Sequence, residues 1–230
     1  MGIWDSIRAH ARPPQERRAE NNRILKGMGI ACFDELPVRE SGEQVSVRSL
    51  DDICRRTIAG LLSIQLACDI AQQNDYDESR ELFYEMMGKY GVTACLLEKE
   101  KRLFAGTYTE QDVVDVAWTY ETVWSLLWAL GRIERLDPPD QLCDCERAID
   151  TVVDCDSFDD FKQGCRLRNK EKILDMLDLF YRYHWACEEK RLRPQTSIGS
   201  LNPEVVVERR RGLEWLVGEW DDWNDIPLDT

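Results

Sequence analysis

Histidine is scarce: His10 and His184 are the two in 230 residues. A mechanism built on paired histidines would have to recruit His10, close to the N-terminus. Phosphate-loop, dinucleotide, nucleophile-elbow and H-E-x-x-H patterns are absent, which removes the commonest nucleotide-binding, serine-hydrolase and zinc-peptidase frameworks. No run of about 18 apolar residues occurs, and no apolar stretch of signal-peptide length follows the N-terminus. The expectation is a cytoplasmic protein that neither spans a membrane nor binds one. Bases are the minority, 30 against 44 acids, for a net charge of −14. That balance opposes a phosphate backbone, so no nucleic-acid partner is expected. Alternating strand patterns are nearly missing, with Val45 and Val47 the one short extended candidate. No C-x-x-C pair occurs among the nine cysteines.

What is present points to helices. Eight Trp, seven Tyr and six Phe within a 43% apolar chain supply a core, so wholesale disorder is excluded. Helix-start signals recur: Ser49 with Asp52 three residues on, Thr109 ahead of Glu110 and Asp112, Asn169, and Asn202-Pro203. They predict helices over about 50–73, 109–130, 169–192 and 202–217. Shorter ones are expected over 15–28, 79–90, 93–104, 145–153 and 157–164. Gly131 ends the tryptophan-rich helix as its C′ residue. The predicted fold is all-α, a single compact multi-helix domain of about eight helices, with residues 1–14 as an N-terminal extension and 15–230 as the helical domain. Gly2 with Ser6 fits the loose myristoylation pattern, and short matches of that kind are common.

The cysteines invite a metal reading, because Cys143, Cys145, Cys155 and Cys165 fall within 23 residues. Their spacing is not that of a zinc site. Buried or half-buried free thiols in a reducing compartment are favoured, with no metal and no cofactor. Asp154, Asp156, Asp159 and Asp160 fail the calcium-loop pattern, since the sixth position is Asp159 and the twelfth Cys165.

Charged residues on apolar helix faces are the strongest local signals. Glu121 sits among Ala117, Trp118, Trp124 and Trp128 at helical spacing, and Arg209 shares a stripe with Val205, Val206, Leu213 and Leu216. Each needs a counter-charge if buried, and the pairing expected first is Glu121 with Arg209, then with Arg182. On the preceding helix, Asp175, Asp178 and Arg182 share one face, while His184 turns to the other. The candidate functional residues are therefore Glu121, Asp175, Asp178, Arg182, His184, Trp185, Glu208 and Arg209. The acidic tail from Glu219 is expected to be partly anchored through Trp220, Trp223 and Ile226.

Several motifs in order resemble a known family, domain of unknown function 4272. They are Leu127-Trp-Ala-Leu-Gly131, Ile173-Leu-Asp-Met-Leu-Asp178 running into Tyr181-Arg-Tyr-His-Trp-Ala186, and Asn202-Pro-Glu-Val-Val-Val-Glu-Arg209 leading to Leu213-Glu-Trp-Leu216. The closing Trp220-Asp-Asp222 and Asp229-Thr230 are similar to the family's acidic terminus. The family pattern carries Arg where Thr119 stands here. The resemblance implies a mainly bacterial helical protein and brings no reaction, cofactor or catalytic residue. Function is thus expected to be non-enzymatic binding, one form being an acidic antagonist or immunity-type protein for a basic protein partner. The alternative is a hydrolase-like enzyme using carboxylates with His184.

Overall fold

The computed structural model describes residues 12–230. The myristoylation pattern and His10 lie outside the described residues. Among the described residues there are nine α-helices: α1 (Pro14–Gly27), α2 (Leu50–Ala71), α3 (Tyr76–Tyr90), α4 (Glu98–Ala105), α5 (Glu110–Ala129), α6 (Cys145–Val153), α7 (Phe158–Gln163), α8 (Lys170–Leu192) and α9 (Pro203–Val217). Short 3-10 turns form at Thr93–Cys95 and Trp223–Asp225. No strand occurs among the described residues, and the Val45–Val47 segment is an irregular connection. None of the described helices is long and apolar enough to cross a membrane.

The caps read from the sequence are in place. Ser49, Thr109, Asn169 and Asn202 each accept a backbone N–H from the first turn of their helix. Thr109 forms the reciprocal box: its hydroxyl accepts from Asp112 N–H, and Asp112 accepts from Thr109 N–H. Arg102 then grips Asp112 from α4, holding its carboxyl well below the usual range.

Two boundaries depart from expectation. Helix α3 starts at Tyr76 rather than Ser79, because Asp75 accepts from Glu78 N–H and acts as the cap. The helix expected over 93–104 is broken, with Leu96 and Leu97 extended. The cause is distant in sequence. Arg56 of α2 donates to the carbonyl of Cys95 and pairs with Glu100, so Cys95 has left the helical ladder to satisfy a buried guanidinium.

The long helices pack in succession: α3 on α2, α2 on α5, α5 on α9, α9 on α8 and α8 on α1. Helices α4, α6 and α7 close the sides, and the buried apolar side chains form one contiguous cluster from Leu25 to Ile226. Helices α5 and α9 come close together at Gly212. A Cβ there would lie 2.5 Å from the carbonyl oxygen of Thr122, so only glycine lets the two backbones approach. This crossing brings Glu121 and Arg209 face to face.

The tail is anchored, with one correction. Trp223 is 1% exposed and packs edge-on against Trp215, and Ile226 is buried, but Trp220 stays exposed. Arginines hold the tail by its carbonyls: Arg48 donates to Trp220, Arg211 to Trp223, and Arg210 to Leu228 and Asp229.

Candidate functional site

The predicted residues fall into separate clusters. Glu121 and Arg209 are paired as expected, Nε to Oε2 at 2.8 Å, at 2% and 3% exposure. The other carboxylate oxygen of Glu121 accepts the N–H of Cys143 at 2.6 Å. Arg209 also donates to the carbonyls of Asp137 and Gln141. The pair therefore fastens the 137–143 loop, which contains the double proline Pro138-Pro139, to the α5–α9 crossing. Ser125 adds a hydrogen bond to the carbonyl of Arg209 at 3.1 Å.

Asp178 and Arg182 form a second cluster, facing α1. Arg182 grips Asp178 through two bonds of 2.8 Å, and Asn21 donates to the same carboxylate at 2.7 Å. Asp175 lies one turn away, paired with Arg17 at 3.0 Å and Arg12 at 3.2 Å. Glu171 takes a second bond from Arg17 at 2.9 Å. Apart from the Asp178–Arg182 pair, these partners come from outside α8, and sequence periodicity did not reveal Arg17 or Asn21 as buried. Both stand on a helix that is otherwise polar.

His184 faces α9, away from both groups. Its Nδ1 lies 2.6 Å from Nη1 of Arg210. Arginine has no acceptor, so Nδ1 accepts and the ring is neutral with its proton on Nε2. Burial, reinforced by the Arg210 charge, pushes the His184 pKa down to about 4. The carboxylate nearest its Nε2 is Glu188, at 4.0 Å on the same helix. Arg210 in turn pairs with Glu214, which also accepts from Arg39. Trp185 points elsewhere again, stacked on Phe33 with ring centroids 5.9 Å apart.

Glu208 accepts from the Thr122 hydroxyl at 2.8 Å and pairs with Arg211. It borders a cleft of about 530 Å³ between α5 and α9, with Lys99, Asp115, Trp118 and Glu204 on its walls. Thr119, at the position where the family pattern has Arg, lies on that wall with its hydroxyl donated to the Val116 carbonyl. Trp118 is shared with an adjoining notch of about 180 Å³, lined by Ala117, Tyr120, Glu121, Leu142 and Cys145. Leu142 is 60% exposed at its rim, and Val114 is exposed one turn before Trp118. The result is an uncovered apolar strip across α5.

The thiols do not converge as one set. Cys143 and Cys145 face each other at 4.0 Å, and Cys165 neighbours Cys54. The contact between the two sulfurs, reinforced by burial, pushes the Cys143 thiol up, and the same contact draws the pKa of Cys145 down. All nine cysteines are free, and among the described residues no three His, Cys, Asp or Glu side chains gather as a metal site.

With this arrangement in view, comparison with known families is decisive for one point. The model of the family described as domain of unknown function (DUF4272) matches residues 17–226. The chain belongs to this family. The match spans the whole helical succession from α1 to the tail, including the anchored Trp223. No curated protein and no solved structure matches the chain.

Proposed function

We propose that this DUF4272 protein is a non-enzymatic binding protein that receives a basic protein partner on the α5 strip. The observation that carries the reading is the exposed Leu142 beside the Trp118 notch, in a segment of strongly acidic sequence. Residues 134–160 hold ten acids and two bases. Asp137, Asp140, Asp144 and Glu146 flank Leu142 in the chain and are exposed. An apolar anchor in a chain segment rich in exposed carboxylates suits a partner presenting one apolar side chain among Lys and Arg. The field of a −14 chain would speed that encounter and make it salt-sensitive. The buried candidates support the same reading from the other side. Glu121, Asp178 and Arg209 are engaged in hydrogen bonds within the fold, His184 is bound through Nδ1 to Arg210, and among the described residues it meets no carboxylate from another helix.

The test uses a synthetic peptide with a single Leu or Trp among Lys and Arg, and a second in which that residue is Ser. Titration is followed by amide shifts and tryptophan fluorescence. The expected outcome is saturable binding with shifts over 114–121 and 140–146, weakened by salt, by loss of the anchor and by Leu142→Asp. Leu142 is exposed, so that variant should melt like the wild type. Equal binding by Leu142→Asp, or shifts confined to other surfaces, would refute the proposal.

A further inference from the structure

Helix α5 ends where α8 begins, and a cleft of about 620 Å³ opens over the junction. Gly131 makes the turn with φ 73°, and a Cβ there would stand 2.9 Å from the carbonyl oxygen of Arg166. Glycine thus lets the 166–168 segment lie against the helix end. Arg166 N–H donates to Leu130 and Arg168 N–H to Ala129, capping two terminal carbonyls.

Five cationic side chains line this cleft: Arg132, Arg147, Arg166, Arg168 and Lys172. Two are fixed by neutral acceptors. Arg168 donates to the carbonyls of Trp128, Ile133 and Glu134 at 2.7–2.9 Å, and Arg132 to that of Thr151 at 3.1 Å. Carbonyls orient a guanidinium without cancelling its charge. Arg147, Arg166 and Lys172 add exposed heads. Glu134 is the one carboxylate on the lining, and none of the five forms an ion pair among the described residues. Elsewhere the buried arginines of α1, α2, α8 and α9 meet carboxylates, as Arg17, Arg56, Arg182 and Arg209 do.

Such a cluster is out of keeping with a chain of net charge −14. Acids abound in the adjoining 134–160 segment, yet Glu134 alone reaches the lining, and five cations against one carboxylate leave it a net charge of +4. Like charges held together repel, and an anion seated among them turns each repulsion into attraction. The forked guanidinium suits phosphate oxygens, and the positive end of the α8 dipole adds to the same field. One phosphate carries a charge of about −1.5 to −2, at most half of what the five cations and Glu134 together call for.

We propose that this cleft binds a compact anion bearing two or more phosphate groups. A nucleic-acid strand fits less well, because its backbone would run on from the cleft over an acidic surface.

Calorimetry on the intact chain at low salt tests this with orthophosphate, tripolyphosphate and a single-stranded RNA oligonucleotide as probes. The expected result is saturable one-to-one binding of tripolyphosphate, at least about tenfold tighter than orthophosphate. The triple variant Arg147→Gln, Arg166→Gln, Lys172→Gln removes only exposed heads and should weaken tripolyphosphate at least about tenfold. A control of equal charge change, Lys101→Gln, Arg191→Gln, Arg193→Gln, should stay within about twofold of wild type. Thermal melts confirm that both variants fold, and amide shifts at 131–134 and 166–172 place the ligand. Three results would overturn the proposal: no saturable binding, equal loss in the control, or tighter binding of the oligonucleotide than of tripolyphosphate.

Discussion

Removing either half of the Glu121–Arg209 pair should cost far more than removing both would suggest. In Glu121→Gln the guanidinium remains buried at the α5–α9 crossing with neutral acceptors alone, the carbonyls of Asp137 and Gln141 and the new side-chain amide. Leaving a buried charge without its partner typically costs about 3–5 kcal/mol. Arg209→Met strands the carboxylate instead, though the N–H of Cys143 still supports it at 2.6 Å. Its expected cost is about 3 kcal/mol, near the bottom of that range, even though bonds to the 137–143 loop go with it. The double variant has no buried charge left to strand. Contacting residues commonly show coupling of about 0.5–3 kcal/mol, and a 2.8 Å pair this enclosed should sit in the upper half of that span. Against a total stability of about 5–15 kcal/mol, both single variants should still fold. Urea denaturation of the four proteins measures the cycle, with an unchanged slope confirming that the same surface is exposed. Effects that add within about 0.5 kcal/mol would show the two residues to be independent and refute the reasoning.

Protonation of His184 should destabilise the fold. Its folded pKa of about 4 lies below the ordinary 6.5, so its contribution is whole above pH 6.5, fades as pH falls and is gone by pH 4. The difference corresponds to about 3 kcal/mol. Buried Glu100, raised by desolvation, acts in the opposite direction over part of that window, but it is common to wild type and His184→Gln, so subtracting their pH–stability curves isolates the histidine; identical curves would contradict its burial beside Arg210. Gly212→Ala should destabilise by about 1–3 kcal/mol, since the new Cβ meets backbone at 2.5 Å. Gly88→Ala on α3, with nothing within 4 Å, should instead gain up to about 1 kcal/mol; thermal melts of both compare the signs. Trp223→Ala should cost about 3–5 kcal/mol, while Trp220→Ala stays within about 0.5 kcal/mol; equal effects in denaturant would mean the tail is not held by Trp223.

The helices were legible because their punctuation is local. Ser49, Thr109, Asn169 and Asn202-Pro203 each state a start in the residues that make the cap. The break at Leu96–Leu97 was not legible, because it accompanies a bond from the Arg56 guanidinium to Cys95, 39 residues along the chain. The same division runs through the candidate residues. A charge set in an apolar stripe announces burial, so Glu121 and Arg209 could be paired from sequence. Arg17, Asn21 and Glu100 carry no such signal, and only the packing of α1 on α8 and of α4 beside α2 buries them. Glu121, His184 and the Asp175–Arg182 face share strong local patterns, yet patterns on different helices say nothing of a common cleft, and the structure sets them apart. The cationic cleft was least visible of all. Its residues come from the end of α5, from α6 and from the entry to α8, and the segment containing Arg147 sums to an acidic total.

Pairing inside and charge outside answer different questions about this protein. A buried ion pair is close to neutral from a few ångströms away, so Arg17, Arg56, Arg182 and Arg209 scarcely contribute to the field a partner meets. They fix one arrangement of helices and loops. Arg210 and Arg211 add to this by binding the carbonyls of an acidic tail, a contact that its carboxylates do not supply. Among the charges left free to act on another molecule are the exposed carboxylates of Asp137, Asp140, Asp144 and Glu146, close to Leu142 in the chain, and five cations at the α5–α8 junction. The two surfaces have opposite sign and separate residues. A basic protein on one and a phosphate-rich anion on the other would therefore occupy the molecule without competing for the same groups.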